Sequence, residues 1–241
     1  MTAGFIARNA DDATVVQIDS DGANLNLCFI RKTYIQARYR TQYTTQSPTR
    51  IIAVLPDNPA LRVKSEIAHN IAVDANRSYF ISLFNSTGSD VSGGCWVYEF
   101  DVYKYITASS TFGLQIYNDN TELVYDALTP SMRVVGFIVG NMSNFTRLHV
   151  GPENYNSRLS ISAQNRSIAI ATFGSSCDAF TMGSSADMRI VEASAYIDYT
   201  ASTLNLVYQG RYVGTTHEGE TAIHYEKACS ATVMAVDVTN F

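Results

Sequence analysis

Residues 113–126 read GLQIYNDNTELVYD, and residues 4–19 read GFIARNADDATVVQID. Both begin with Gly and an apolar residue, and both reach Asn at the sixth position, Asn118 and Asn9. Both then pass through an acidic linker into a short apolar run that closes on Asp, Asp126 and Asp19. Asn and Asp tolerate the left-handed backbone that a tight turn needs. Each stretch therefore predicts a strand, a turn and a second strand. The copies lie 109 residues apart, and the first has the longer linker. An apolar strand follows each, NLNLCFI at 24–30 and SMRVVGFIV at 131–139. A lone hairpin cannot bury its apolar face, so each copy is expected to seed its own sheet. The expected architecture is all-β: two related antiparallel β-sandwich-like halves, residues 1–108 and 109–241, joined near Ala108–Thr111.

The rest of the chain agrees with that class. Tyr, Val, Ile, Thr and Phe recur in short runs punctuated by Gly, Asn, Asp and Ser. Along Trp96–Tyr103, the residues Trp96, Tyr98, Phe100 and Val102 share one face, and Val97, Glu99, Asp101 and Tyr103 the other. Arg189–Tyr199 alternates in the same way, as strands of antiparallel sheets do. The best helix candidate is Pro59–His69. Gln42–Pro59, with three of the five prolines, reads as a long loop or an edge.

Composition narrows function. Apolar residues make up 46% of 241, enough for a packed core, and charged residues only 16%. The net charge of −5 argues against a nucleic-acid partner held by phosphate neutralisation. No apolar run is long enough for a membrane span, and charges interrupt the first 30 residues, so no secretory leader is expected. Cys28, Cys95, Cys177 and Cys229 are widely spaced and read as buried thiols. Arginines outnumber lysines 13 to 4, a bias that suits packed or interfacial pairs. The stretch TYIQARYRTQYTTQ (33–46) concentrates them with tyrosines. Tyr34, Arg38, Tyr39, Arg40 and Tyr43 are the candidate interface residues, against the plainer reading that tyrosines here cover sheet faces.

Chemistry-bearing patterns are sparse. Gly174–Asp178 and Gly183–Asp187 lack the closing Gly of a serine elbow, so Ser176 reads as a turn residue and Cys177 as a buried thiol. His217, Glu218, Glu220, His224 and Glu226 form the densest ionisable cluster, but no third metal ligand is fixed by spacing, and no metal or other cofactor is expected. Glu99 and Asp101 share a strand face at the spacing of a glycosidase pair, as many exposed strand pairs would. Phosphate-binding loops are absent.

The string FGLQIYNDNTELVYD (112–126), followed by MRVVGFIVG (132–140), resembles a type of tailed-bacteriophage tail protein. Those tail-tip or tail-fibre proteins carry YGLQVxNxxGxLxFD, a short gap and an RVV strand. The resemblance is strong over residues 112–139 and weaker over 4–31. At Asn120-Thr121 the chain departs from the pattern, which often has a turn Gly there. The resemblance implies a non-enzymatic structural component of a virion tail (tip, baseplate or fibre). It implies assembly in the host bacterial cytoplasm, as a trimer or ring, with other phage tail proteins. Two alternatives stay open. One is a receptor- or glycan-binding module, with loop Gly151–Asn156 as a sugar site and a host cell-surface receptor as partner. The other is a small β-fold hydrolase acting on host surface polysaccharide through Glu99 or Ser176.

Overall fold

A computed structural model describes residues 4–8, 14–19, 27–67, 76–86, 89–102, 113–117, 121, 123–141, 157–161, 166–173, 177–181, 187–200, 203–217 and 230–241. Among these residues there is no helix, and every strand pairing is antiparallel. Before residue 108 the strands are β1 (Gly4–Arg8), β2 (Thr14–Asp19), β3 (Leu27–Ala37), β4 (Thr41–Thr44), β5 (Ile51–Pro56), β6 (Arg62–Ile67), β7 (Ser78–Phe84), β8 (Asp90–Val91) and β9 (Gly93–Val102). After it come β10 (Gln115–Tyr117), β11 (Leu123–Asp126), β12 (Arg133–Asn141), β13 (Ser157–Ile161), β14 (Ile168–Phe173), β15 (Cys177–Thr181), β16 (Asp187–Thr200), β17 (Thr203–His217) and β18 (Ser230–Asp237).

Both quoted stretches fold as hairpins, β1–β2 and β10–β11. Their registers slip at the same place, between Ala7 and Arg8 and between Ile116 and Tyr117. A six-stranded sheet has the order β12-β18-β14-β5-β9-β3. A larger sheet runs β13-β17-β16-β6-β7-β4, with β15 beside β16 and β8 beside β7. Set the hairpins and these two additions aside, and six strands remain on each side of residue 108, in one common order. The first, sixth and third lie together in one sheet; the second, fifth and fourth lie in the other.

The two sets join where third meets third and fourth meets fourth, with Val54 opposite Ile170 and Val63 opposite Ala195. Ala53 on β5 and Ala171 on β14 each lie one residue from the Val54–Ile170 pair. These alanines hold equal places, opposite Tyr98 on β9 and Met234 on β18. The bulges match as well: β3 slips against β9 between Phe29 and Arg31, and β12 against β18 between Val134 and Gly136. Such matched, antiparallel seams are what a local twofold axis produces.

Each hairpin forms a two-stranded sheet of its own but joins neither large sheet, so neither seeds the strands that follow it. Strands from both sides of residue 108 share both large sheets. Three strands alone would leave exposed edges at β5, β14, β6 and β16, and pairing them removes those edges. A further correction concerns Pro59–His69, where β6 replaces the expected helix over Arg62–Ile67. Val63 and Ser65 are buried on one face, while Lys64 and Glu66 pair at 2.9 Å on the other. In Gln42–Pro59, β4 is an edge strand as read, but β5 lies at the centre of its sheet.

One hydrophobic cluster draws on both sheets: Ile52, Val54, Cys95, Val97, Ile168, Ile170, Val233 and Ala235 from the first, and Tyr43, Val63, Tyr79, Ile81 and Leu83 from the second. The sheets therefore pack face to face as a β-sandwich. The six-stranded sheet is apolar on its other face too, where Phe100, Tyr98, Ala53, Ala169, Ala171 and Val236 are buried. At one end its two edge strands meet. Phe29 N–H donates to the Pro130 carbonyl at 2.8 Å and Met132 N–H to that of Leu27 at 2.6 Å. Phe241 closes that end from outside, stacked on Phe29 at 4.9 Å and edge-on to Phe100 at 5.8 Å.

Cys28 and Cys95 are fully buried thiols. Burial, aided by the Asp57 charge, pushes the Cys95 thiol up to about 12. The thiolate is the reactive form, so both thiols are expected to resist a thiol reagent at neutral pH in the native chain and to react on unfolding. Rapid native-state labelling at Cys95 would contradict this burial.

Candidate functional site

Three arrangements carry functional groups. The first lies inside the sandwich. Arg50, which leads into β5 and is 5% exposed, donates from Nη1 to Glu99 Oε2 at 2.9 Å and from Nε to Asp101 Oδ2 at 3.2 Å. Arg31 Nε reaches Glu99 Oε1 at 2.6 Å, and Tyr43 on the opposite sheet donates its hydroxyl to the same oxygen. The Tyr79 hydroxyl donates to the Arg50 carbonyl at 2.6 Å. Burial first, then the Glu99 bond, pushes the Tyr43 phenol up to about 12, so it stays a donor. Glu99 and Asp101 are fully buried. The expected exposed carboxylate pair is instead an ion-paired cross-brace between sheets, with every carboxylate oxygen named above bound inside the protein.

The second set of strands carries a related pair. Val97–Val102 reads VYEFDV and Val233–Val238 reads VMAVDV, so Asp237 stands where Asp101 does. Arg166, leading into β14, approaches Asp237 Oδ2 at 3.8 Å, and Arg133 approaches Oδ1 at 3.6 Å. Burial pushes the Asp237 carboxyl up, but two bonds from Thr239 and these arginines outweigh it, and the net shift is downward. Its stabilisation is thus present above the unfolded carboxyl value and lost as pH falls through the lower folded value. Between native and Asp237→Asn chains, the difference in stability is expected to shrink as pH drops below about 4. Denaturant melts across that range measure it; a difference that grows on acidification would refute the assignment.

The second arrangement is the hairpin motif. Gly113 has φ 115°, a conformation reserved for glycine. Gln115 Nε2 reaches Asp126 Oδ2 at 3.4 Å. Asp126 is buried and accepts from the Leu128 N–H at 2.9 Å and the Thr129 hydroxyl at 3.2 Å. That Asx turn redirects the chain toward β12. Thr121 has φ 63°, and it occupies the position where the tail-protein pattern carries Gly. Leu114, Tyr117, Leu128, Val134 and Phe137, all within 113–137, are exposed, Phe137 at 63%.

The third lies on the outer face of the six-stranded sheet. The Tyr34 hydroxyl donates to Asp57 Oδ2 at 2.7 Å and accepts from Gln36 Nε2 at 3.3 Å. Its ring stands edge-on to Trp96 at 5.1 Å. Lys32 Nζ sits 5.5 Å from the Trp96 ring centroid and bonds the Phe241 carbonyl at 2.6 Å. The Asp57 bond, together with the carboxylate charge, raises the Tyr34 phenol above its ordinary value. A Cβ on Gly94 would stand 2.0 Å from the Tyr34 hydroxyl and 2.3 Å from Asp57 Oδ2.

The expected interface set is therefore divided. Tyr34 is exposed on the outer face of β3, and Arg38, Tyr39 and Arg40 are exposed at the turn after it. Arg40 crosses to the other sheet, 4.5 Å from the Phe80 ring centroid and 3.5 Å from Glu66. Tyr43 is a correction: its side chain is buried and serves the cross-brace, because alternation on β4 turns it inward. Ser176, His224, Glu226 and Gly151–Asn156 lie outside the described residues, and Cys177 and His217 are described in backbone only. Among the described residues no group of three or more His, Cys, Asp or Glu side chains could hold a metal ion, and no helix is long and apolar enough to cross a membrane. No family model matches the chain, and no curated protein or solved structure is significantly similar to it.

Proposed function

We propose that the chain is a non-enzymatic structural component of a bacteriophage tail, built by doubling of one six-strand unit and assembled as a trimer or ring with other tail proteins. The observation that carries the reading is the hairpin at 113–126. Its residues resemble the tail-protein pattern, departing at Thr121 where the pattern often has Gly, and these positions have local structural work: Gly113 and Thr121 take positive φ, and Asp126 builds the following turn. Support for assembly comes from the exposed apolar side chains Leu114, Tyr117, Leu128, Val134 and Phe137, which fall within one short stretch of the chain. The buried, paired state of Glu99 and Asp101 favours this reading over a hydrolase that uses them.

Immunogold labelling of purified virions with antibody to the chain tests the proposal. Label confined to the tail is expected. Label on the capsid alone, or virions free of the protein, would overturn it. For the assembly, Phe137→Asp is expected to reduce incorporation into tails while leaving the purified subunit folded; normal incorporation would remove this surface from the interface.

A further inference from the structure

We propose that Tyr34, Gln36, Asp57 and Lys32 form a carbohydrate-binding patch on the outer face of the six-stranded sheet, with Trp96 as its buttress. This goes beyond the structural reading and concerns a surface outside the hairpin. A sugar ring presents apolar C–H groups on its faces and hydroxyls around its rim. It is recognised by an immobile aromatic face flanked by planar donors and acceptors. Tyr34 supplies such a face: its side chain is 45% exposed, yet it is held at both ends. Trp96 packs against the ring at 5.1 Å, and Asp57 and Gln36 fix the hydroxyl. Fixing it before binding removes an ordering cost that a mobile surface tyrosine would incur.

The rim groups are of both kinds. Asp57 is an acceptor, Gln36 both donor and acceptor, and Lys32 a donor, so vicinal hydroxyls would find partners within one patch. The patch carries one group of each charge, Asp57 and Lys32, and no cluster of cations, which fits a neutral saccharide better than a polyanion. Gly94 is a positioning residue. It lies beneath the Tyr34–Asp57 bond, and any side chain there would displace both groups. The strand tolerates the missing side chain because the tyrosine hydroxyl fills its place.

The chain has a single tryptophan, so Trp96 emission reports on this patch. The purified chain would be titrated to millimolar concentration with glucose, galactose, mannose, rhamnose and N-acetylglucosamine. A saturable change in Trp96 emission with at least one sugar is expected, weakened roughly tenfold or more in Tyr34→Ala. Gly94→Ala should weaken it similarly with every polar group retained, while Tyr39→Ala, at the neighbouring turn, should leave it unchanged. Melting curves check that each variant folds. Tyr34 is exposed, so Tyr34→Ala keeps the test open if Gly94→Ala fails to fold. No saturable change with any of the five sugars, or a change that survives Tyr34→Ala, overturns the proposal.

Discussion

Arg50→Met is expected to cost about 3–5 kcal/mol of folding stability, the range for removing one partner of a buried ion pair. Glu99 and Asp101 are fully buried, and Arg50 is the cation shared between them. Without it Asp101 keeps the Thr49 hydroxyl at 2.7 Å but loses its countercharge. Glu99 keeps Arg31, whose side chain is 42% exposed and screened by water. Arg166→Met, the change in the second set of strands, is expected to cost under about 1 kcal/mol, because Arg166 is 45% exposed and 3.8 Å from its carboxylate. Denaturant melts of the two variants make the comparison. An Arg50→Met cost no larger than that of Arg166→Met would show that the cross-brace contributes little. The second unit already carries Ala235 where the first has Glu99.

Ile170→Ala should be the other large effect, about 2–5 kcal/mol for a buried Ile truncated in a packed core. Ile170 is 1% exposed and faces Val54 across the seam between the two sets of strands. Because the six-stranded sheet runs through that seam and the larger sheet joins the same two sets at Val63 and Ala195, the loss is expected to lower one cooperative transition for the whole chain. Circular dichroism at two wavelengths during a denaturant melt reads this. Two separable transitions, with only one shifted by Ile170→Ala, would mean that the halves hold together independently and that the seam is incidental.

What the sequence made legible was local. Both hairpins follow from Asn and Asp at a turn between apolar runs, and β9 from strict alternation over Trp96–Tyr103. The interaction of β5 with β14 was not legible, since nothing in IIAVLP or IAIATF names its partner more than a hundred residues away. The same distance hid the chemistry. Glu99 reads as one of an exposed pair because Arg50 and Tyr43 are remote in sequence, and only the fold brings them over it. Pro59–His69 misled for a different reason: six residues of strand with two inward side chains carry too short a period to outweigh a helix-compatible composition. One usable signal was present. VYEFDV and VMAVDV lie 136 residues apart, while the hairpins lie 109 apart, and unequal spacing disguises a second pair of matching elements.

The alanines at the seam have a consequence for how such a molecule meets its neighbours. A homodimer with this geometry would come apart on dilution, whereas here the join is covalently guaranteed and independent of concentration. Its two extremities are also free to evolve separately, as identical subunits never are. One now presents Tyr34 and Lys32; at the position matching Lys32, the other presents Phe137. A single polypeptide thus carries a polar surface at one extremity and a greasy one at the other.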